Sequence, residues 1–408
     1  MKTVRQSHHK KVVLAYSGGL DTSVAIKWLR DKGYEVIAYM ADVGQEKTTT
    51  AAIKRAKVAG ATKVVVKDLK KKFVTDYIWP ALKAGAVYEG RYTLATALSR
   101  PLIAAEQVAV AHAEQATAIA HGCTGKGNDQ VRFEVTAQAI DGSLEILAPV
   151  REWEFKSREE EIDYALQHGI PIDITKKSSY SIDKNIWGVS VESGALEDPN
   201  FEPPLDSFQW TRGAEKRNLK ERNVEIGFEK GIPVSLDGRR MDGLALINKL
   251  NALAASYGIG RMDMVENRLI GIKSRETYEA PAATVLLTAH RDLESLVLDR
   301  ELFHYKEGIA QKYAELVYYG LWFTPLRKAL DAFVEETQKK VTGSVRVKLR
   351  KYSCHVVGRK SPYSAYNESL ATYTAKDKFD HRLAKGFIDL WALPYKQSGK
   401  RYEVINAE

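Results

Sequence analysis

Short apolar runs alternate with helically spaced ones through the first third of the chain. Val12-Val13-Leu14 predicts a buried strand, and Val24 to Arg30 carries apolar residues at helical intervals. Between them lies a tight loop, Ala15-Tyr16-Ser17-Gly18-Gly19-Leu20-Asp21-Thr22-Ser23. Beyond Gly33, Tyr34 to Ala41 predicts a second strand that ends in Asp42-Val43-Gly44-Gln45. Thr50 to Val58 predicts a helix stopped by Gly60, and Lys63 to Lys67 a third strand. Phe73 to Ile78 predicts a helix ending at Pro80, and Thr93 to His112 a long one kinked by Pro101. Ala116 to Ala120 and Leu144 to Ala148 supply a fourth and a fifth strand. Such alternation predicts an α/β fold, a parallel sheet with helices on both faces. Ligands of such sheets sit beyond the carboxyl ends of the strands. The Ser17 loop, the Asp42 turn and the Gly122 loop are therefore expected along one edge.

The pattern changes further on. Ser157-Arg158-Glu159-Glu160 is a capping box that opens a helix to about His168, and Gly169-Ile170-Pro171 then interrupts it. A domain boundary is placed there, giving a parallel-sheet part over 1–170 and an α+β part over 171–360. Val224 to Phe228 and Pro233 to Leu236 predict a hairpin around Lys230-Gly231, and Val345 to Leu349 with Ser353 to Val357 a second. Gly243 to Tyr257 predicts an amphipathic helix, and Ala282 to Thr337 is largely helical. The tail, 361–408, is irregular to Tyr373 and then carries a short apolar-faced helix, His381 to Leu393. Such a helix is marginal alone and needs a surface to cover, on its own chain or on a neighbouring one.

Glycines at 18 and 19 permit positive φ and close approach to the backbone. The loop N–H groups and the N-terminus of the helix after it favour an anion such as phosphate. The loop is not a Walker A sequence, since no Gly-x-x-x-x-Gly-Lys-Ser/Thr occurs. Composition narrows the rest. Two widely separated cysteines, Cys123 and Cys354, exclude a disulfide framework and a cysteine zinc site and point to the cytoplasm. The nine histidines lack metal-ligand spacing, so no protein-held metal centre is expected. Met1 to Lys10 is polar, with no secretory signal, and no apolar run spans a bilayer. The charge of +9 comes in short basic runs without an RNA-binding signature, so no nucleic-acid partner is expected.

Ser17-Gly18-Gly19-Leu20-Asp21-Thr22-Ser23 resembles the pyrophosphate-binding loop of the ATP pyrophosphatase superfamily. Further stretches narrow the resemblance. They are Tyr77-Ile78-Trp79-Pro80-Ala81, Tyr88-Glu89-Gly90-Arg91-Tyr92, His121 to Glu134, Gly260 to Arg268 with Gly271 to Arg275, and Ser361-Pro362-Tyr363-Ser364. Together and in this order they resemble the argininosuccinate synthases across almost the whole chain. The resemblance implies ATP-dependent condensation of L-citrulline with L-aspartate through citrullyl-AMP, giving argininosuccinate, AMP and pyrophosphate. Mg2+ would neutralise the leaving phosphates. A homotetramer is implied as well, with the tail, 361–408, as its oligomerisation arm.

By that resemblance Ala15, Tyr16, Ser17, Gly18, Gly19, Leu20, Asp21, Thr22 and Ser23 bind ATP, with Ala41 and Gly122 beside the nucleotide. Citrulline falls to Tyr92, Asn128, Arg132, Ser181, Ser190, Glu266 and Tyr278, and aspartate to Thr124, Asn128 and Asp129. Asp21 and Asp129 are the catalytic candidates, Asp129 as a carboxylate for an ammonium and an aid to its deprotonation. Arg132 suits a carboxylate and Glu266 an α-amino group. Ala97 replaces a serine of other members and can neither donate nor accept, so it is left out. Thr96 beside it would project about 100° away on a helix. Cys123 is read as a small filler of its loop. An adenylating RNA-modifying enzyme is the competing reading, and it calls for a docking surface and catalytic cysteines that the sequence lacks.

Overall fold

The computed structural model describes residues 10–45, 50–171, 180–217 and 219–397. In chain order the first part runs β1 (Lys11–Ala15), α1 (Leu20–Asp31), β2 (Glu35–Asp42), α2 (Thr50–Val58), β3 (Lys63–Asp68), α3 (Lys70–Phe73), α4 (Trp79–Ala84) and α5 (Ala95–Ala113). It continues through β4 (Ala118–Ala120), α6 (Asp129–Ile140), β5 (Glu145–Leu147), α7 (Pro149–Glu152) and α8 (Arg158–Gln167). The five strands make one parallel sheet in the order β3-β2-β1-β4-β5. Alternation along β1 and β2 sends Val12, Leu14, Val36 and Ala38 into one core with α1, α2 and α8. Val13, Ile37 and Tyr39 enter the core on the opposite face, against α5. Ser157 caps α8, its Oγ accepting from Glu160 N at 3.3 Å, while Glu160 reaches back to Lys156 N at 2.7 Å.

One boundary differs from expectation. The helical run does not end at Pro80. A π-turn over Val74–Ile78 joins α3 to α4, and the run stops at Gly85. Pro80 falls in the first turn of α4, where its missing N–H costs little. Helix α5 likewise passes through Pro101.

The second part runs β6 (Ser181–Asn185), β7 (Gly188–Glu192), β8 (Arg222–Glu229), β9 (Ile232–Leu236), β10 (Arg239–Arg240) and α9 (Gly243–Ser256). Then come β11 (Arg261–Asn267), β12 (Lys273–Glu279), α10 (Pro281–Val297), α11 (Arg300–Tyr318), α12 (Pro325–Gln338), β13 (Gly343–Arg350) and β14 (Ser353–Lys360). Both expected hairpins form, and β8–β9 turns on Lys230 and Gly231 with φ of 49° and 77°, the signature of a tight two-residue turn. They belong to a five-stranded antiparallel sheet, β10-β9-β8-β13-β14.

Periodicity did not reveal the remaining sheet, which is antiparallel in the order β11-β12-β7-β6. Its register sets Asp183 and Tyr278 on either side of Ser190, Ser181 opposite Glu192, and Met264 opposite Glu276. With a period of two, Ser181, Asp183, Ser190, Glu192, Glu266, Glu276 and Tyr278 therefore share one face. On the other face Glu279 is 1% exposed. Its carboxylate accepts from the backbone N–H groups of Gln209 at 2.5 Å, Trp210 at 3.0 Å and Thr211 at 2.7 Å, and from the Thr211 hydroxyl at 2.6 Å.

Residues 1–363 form one compact unit and 364–408 a second. In the second, α13 (Glu368–Ala371), α14 (Leu383–Trp391) and α15 (Leu393–Gln397) are present. Phe387 stacks on Trp391, and both rings are exposed.

Glu279→Ala would leave three backbone donors and a hydroxyl without an acceptor. At about 1–3 kcal/mol for each unsatisfied buried group, a loss of about 3 kcal/mol or more is expected. The urea midpoint should drop accordingly; an unchanged midpoint would show that water replaces the carboxylate.

Candidate active site

Beyond the carboxyl ends of β1, β2 and β4 lies a cleft of about 620 Å³. The polar face of the four-stranded sheet forms its opposite wall. Ala15, Tyr16, Ser17 and Thr22 line the nucleotide side with Ala41, Gly122, Cys123 and Thr124. Gly19 is the N-cap of α1, and among the described residues no side chain caps that helix. Its first N–H groups are thus left for an external acceptor, and the helix dipole adds to their pull on an anion. Gly18 has φ +84°, and a Cβ there would sit 2.9 Å from the Ala52 Cβ. A Cβ on Gly122 would come within 2.8 Å of Thr22 Cγ2. Neither position has room for a side chain.

The loop hydroxyls divide into two sets. Ser23 is fully buried, and its Oγ lies 2.6 Å from the Gly19 carbonyl and 3.1 Å from the Tyr16 hydroxyl. Tyr16 also reaches the Ala52 carbonyl at 3.2 Å. These two shape the loop from behind. Ser17 and Thr22, 3.1 Å apart, face the cleft. Gly18, Gly19, Leu20, Asp21 and Ser23 do not line it. Asp21 instead meets Glu161 of α8. Burial first and the Asp21 carboxyl second push Glu161 up to about 8, and one Glu161 oxygen finds no donor among the described residues.

On the far side Arg132 is 4% exposed. Its Nε donates to Tyr318 O at 3.0 Å, its Nη1 to Asp129 Oδ1 at 2.8 Å, and its guanidinium lies 4.9 Å from the Tyr318 ring centre. Arg100 holds the other Asp129 oxygen at 2.7 Å and also pairs with Asp183. Burial would raise the Asp129 pKa, but Arg100 and Arg132 outweigh it and hold the carboxyl below its usual range. Asn128 donates to the Tyr318 hydroxyl at 2.8 Å and accepts from Leu269 N at 3.0 Å, which ties the Gly122 loop to the β11–β12 connection. Tyr318 donates to Glu266 Oε1 and Tyr278 to Glu266 Oε2, both at 2.6 Å. The Tyr92 hydroxyl accepts from Thr96 N at 3.0 Å and Ala97 N at 3.3 Å, so its own proton is free for a ligand. Its ring stacks on Tyr278.

Comparison with known proteins gives this geometry its setting. The family profile described as "Arginosuccinate synthase N-terminal HUP domain" matches residues 11–171, and "Arginosuccinate synthase C-terminal domain" matches 180–398. The chain is 58% identical over 388 residues to the argininosuccinate synthase of Chlorobium luteolum, covering 95% of this chain and 97% of that one. The enzyme of Pelodictyon phaeoclathratiforme matches at 58% with the same coverage, and that of Chlorobaculum tepidum at 56% over 389 residues, again 95% and 97%.

The chain belongs to the argininosuccinate synthase family. It is accordingly a ligase that forms a carbon–nitrogen bond and cleaves ATP to AMP and pyrophosphate. A solved 4-thiouridine synthetase–RNA complex with bound ATP shows only a faint likeness, with a TM-score of 0.30 and 18% identity over 40% of this chain and 41% of that one, and carries no argument.

Within this family member every residue expected at citrulline and aspartate lines the one cleft, namely Tyr92, Thr124, Asn128, Asp129, Arg132, Ser181, Ser190, Glu266 and Tyr278. The sequence reading missed Arg100, Glu192, Arg268, Glu276 and Tyr318 around them. The signal for Glu276 was present: Ser274, Glu276 and Tyr278 alternate across from Glu266. Thr96 is a correction. It lines the cleft and bonds the Ser190 hydroxyl at 3.1 Å, whereas Ala97 is fully buried and outside. Helix α5 begins only at Ala95, so Thr96 sits in its first turn beside β7, and the 100° rotation carries it toward the cleft.

Two outcomes are expected. Gly18→Val should reduce ATP-dependent AMP formation by at least a hundredfold with the far-UV circular dichroism unchanged, because both φ and the Ala52 contact oppose it; a wild-type rate would remove the loop from the nucleotide site. Cys123→Ala should keep most activity. Burial first and Asp129 second push its thiol up to about 12, far from the thiolate that nucleophilic chemistry requires. A loss of several orders of magnitude would restore a role for the sulfur.

Proposed function

We propose that the cleft binds ATP, L-citrulline and L-aspartate together and joins the two amino acids in two steps. The observation that supports this most directly is the union in one cavity of the Ser17 and Thr22 hydroxyls, which flank the uncapped start of α1, and a wall of paired carboxylates and guanidiniums. Two nitrogens donate into the ureido carbonyl of citrulline, so its carbon is a poor electrophile. Its oxygen attacks the α-phosphorus of ATP, pyrophosphate leaves, and citrullyl-AMP forms. The aspartate amine then adds to the activated carbon and AMP departs. No covalent enzyme intermediate is required; positioning and charge stabilisation carry the rate.

The division of labour follows the geometry. Ala15 to Ser23 form the phosphate loop, with Ser17 and Thr22 facing the ligand and Tyr16 and Ser23 holding the loop's shape, and Ala41 and Gly122 give the nucleoside close access to backbone. Arg132 takes the citrulline carboxylate with the donors that Asp129 and Tyr318 leave free. Glu266 takes the α-ammonium, and Tyr92, Asn128, Ser181, Ser190 and Tyr278 orient the chain between. Thr124, Asn128 and Asp129 hold aspartate. Asp129 serves as an ammonium anchor, because a carboxyl held low by two guanidiniums is a weak base. Among the described residues no cluster of three acidic, histidine or cysteine side chains could enclose a metal. Mg2+ would be held chiefly by the substrate phosphates themselves, since Asp21 turns out of the cleft to Glu161 and neither carboxylate lines it. When bound, it would neutralise charge on the departing pyrophosphate.

The ATP part spans 1–170, the amino-acid part 171–360, and the arm 361–408 joins copies into a homotetramer in the cytoplasm. No described helix is long and apolar enough to cross a membrane. The arm's apolar residues, Phe387 at 62% and Trp391 at 67% exposed, supply the contact.

Citrulline labelled with ¹⁸O in its ureido group should pass the label to AMP in the presence of ATP and aspartate. Unlabelled AMP would exclude activation of that oxygen. For assembly, the chain is cut after Tyr363, past the end of β14 at Lys360 and at the edge of the first compact unit. That truncation should give monomers or dimers by light scattering at micromolar concentration, and a surviving tetramer would place the contacts elsewhere.

A further inference from the structure

Proton counting at Tyr278 leads beyond the assignments above. Its hydroxyl lies 2.6 Å from Glu266 Oε2 and 2.9 Å from Glu276 Oε2. A phenol has one proton to donate. The other Glu266 oxygen is served by Tyr318, whose own lone pair accepts from Asn128. Two carboxylates thus meet one hydroxyl that can satisfy only one of them. The shorter contact goes to Glu266, so the longer one requires a hydrogen carried by Glu276.

Counting charge gives the same result. The groups that face the pair are Tyr278 on β12, Arg268 just beyond β11, Glu192 on β7, Arg132 on α6, Tyr318 on α11, and Tyr92 before α5. Arg268 is the cation within reach of Glu276, at 3.2 Å, and the same Nη2 lies 2.5 Å from Glu192. Arg132 is committed to Asp129 and the Tyr318 carbonyl. Among the described residues Glu192, Glu266 and Glu276 therefore share Arg268 and the field of Arg132, itself paired to Asp129, in a wall where Glu266 is 2% exposed. A proton on the pair relieves that excess, and an ammonium can replace the proton charge for charge.

We propose that Glu266 and Glu276 share a single proton in the ligand-free cleft, that Glu276 is a second anion for the α-ammonium of citrulline, and that binding of the ammonium expels the proton. The proposal rests on the reading of this cleft as the citrulline site and adds a positioning residue and a linkage to it. Burial first, then the Glu266 and Glu192 charges, push Glu276 up to about 8, and burial raises Glu266 as well. The proton belongs to the pair. An ammonium beside the pair lowers its pKa. Citrulline affinity then rises with pH up to about 8, by about tenfold per unit at most, and levels off above.

Calorimetry on the full-length protein saturated with α,β-methylene-ATP tests this. Citrulline is titrated at pH 7 in two buffers of different ionisation enthalpy, and Kd is followed from pH 6 to 8. The expected result is release of close to one proton per citrulline and a Kd that tightens several-fold for each pH unit. Glu276→Gln should bind citrulline more weakly at pH 8 and lose both the release and the slope. Heats independent of buffer with a flat Kd in the wild type would overturn the inference while leaving the citrulline site intact. Unchanged proton release in Glu276→Gln would overturn it too. A wild type that binds no citrulline at any pH would overturn the site reading itself. If Glu276→Gln also loses nucleotide binding, it has lost its fold, and the wild-type proton count decides alone.

Discussion

A guanidinium cannot be buried without partners, and the architecture of this enzyme turns on how Arg132 finds them. The residue lies in the first turn of α6, directly after the Gly122 loop of the parallel sheet. Its partners are Asp129, one turn away, and the carbonyl and ring of Tyr318 at the end of α11, more than 180 residues on. A Cβ on Gly320 would lie 2.8 Å from Arg132 Cα, so the chain after α11 packs against the backbone of α6 itself. Satisfying one buried cation therefore fixes the end of α11 against α6, at the carboxyl edge of the parallel sheet. Asn128 repeats the link one residue earlier, through Tyr318 and Leu269.

The two sides of the cleft that results handle charge by different means. At the loop before α1 the charge is offered by backbone N–H groups and a helix dipole, and the nearby hydroxyls of Tyr16 and Ser23 are spent on shaping the loop. Main-chain donors suit a ligand that arrives and leaves in pieces, since they hold phosphate oxygens without carrying a counter-charge of their own. On the amino-acid side the work falls to ionised side chains, each committed to an opposite charge or a phenol before any ligand enters. Asp129 is balanced by Arg100 and Arg132, and Glu266 by Tyr278 and Tyr318. Ammonium and carboxylate groups that enter such a network would exchange partners with it rather than meet bare charges, and the prior pairing limits the cost of burying these charges.

Sequence periodicity by itself determined the parallel sheet, its loop edge, both hairpins and the helices of the second part, because each buries a continuous apolar face and so writes its period into the chain. The family was legible too, through the resemblance of its motifs, which cover most of the cleft. Periodicity did not show the sheet β11-β12-β7-β6. The reason is chemical. The face of that sheet toward the cleft carries Ser181, Asp183, Ser190, Glu192, Glu266, Glu276 and Tyr278, so the apolar alternation that marks a strand is missing from these strands. Functional surfaces break local rules in this way, and the cost is met by pairing across the fold. Only tertiary structure decided those pairings. Thr96 became a cleft residue because α5 starts at Ala95. Arg100, Arg268 and Tyr318 entered the site from segments distant in sequence. Whether a carboxyl such as Glu276 keeps its proton depends on how many phenols and guanidiniums the folded chain brings within about 3 Å of it, a number that no linear pattern contains.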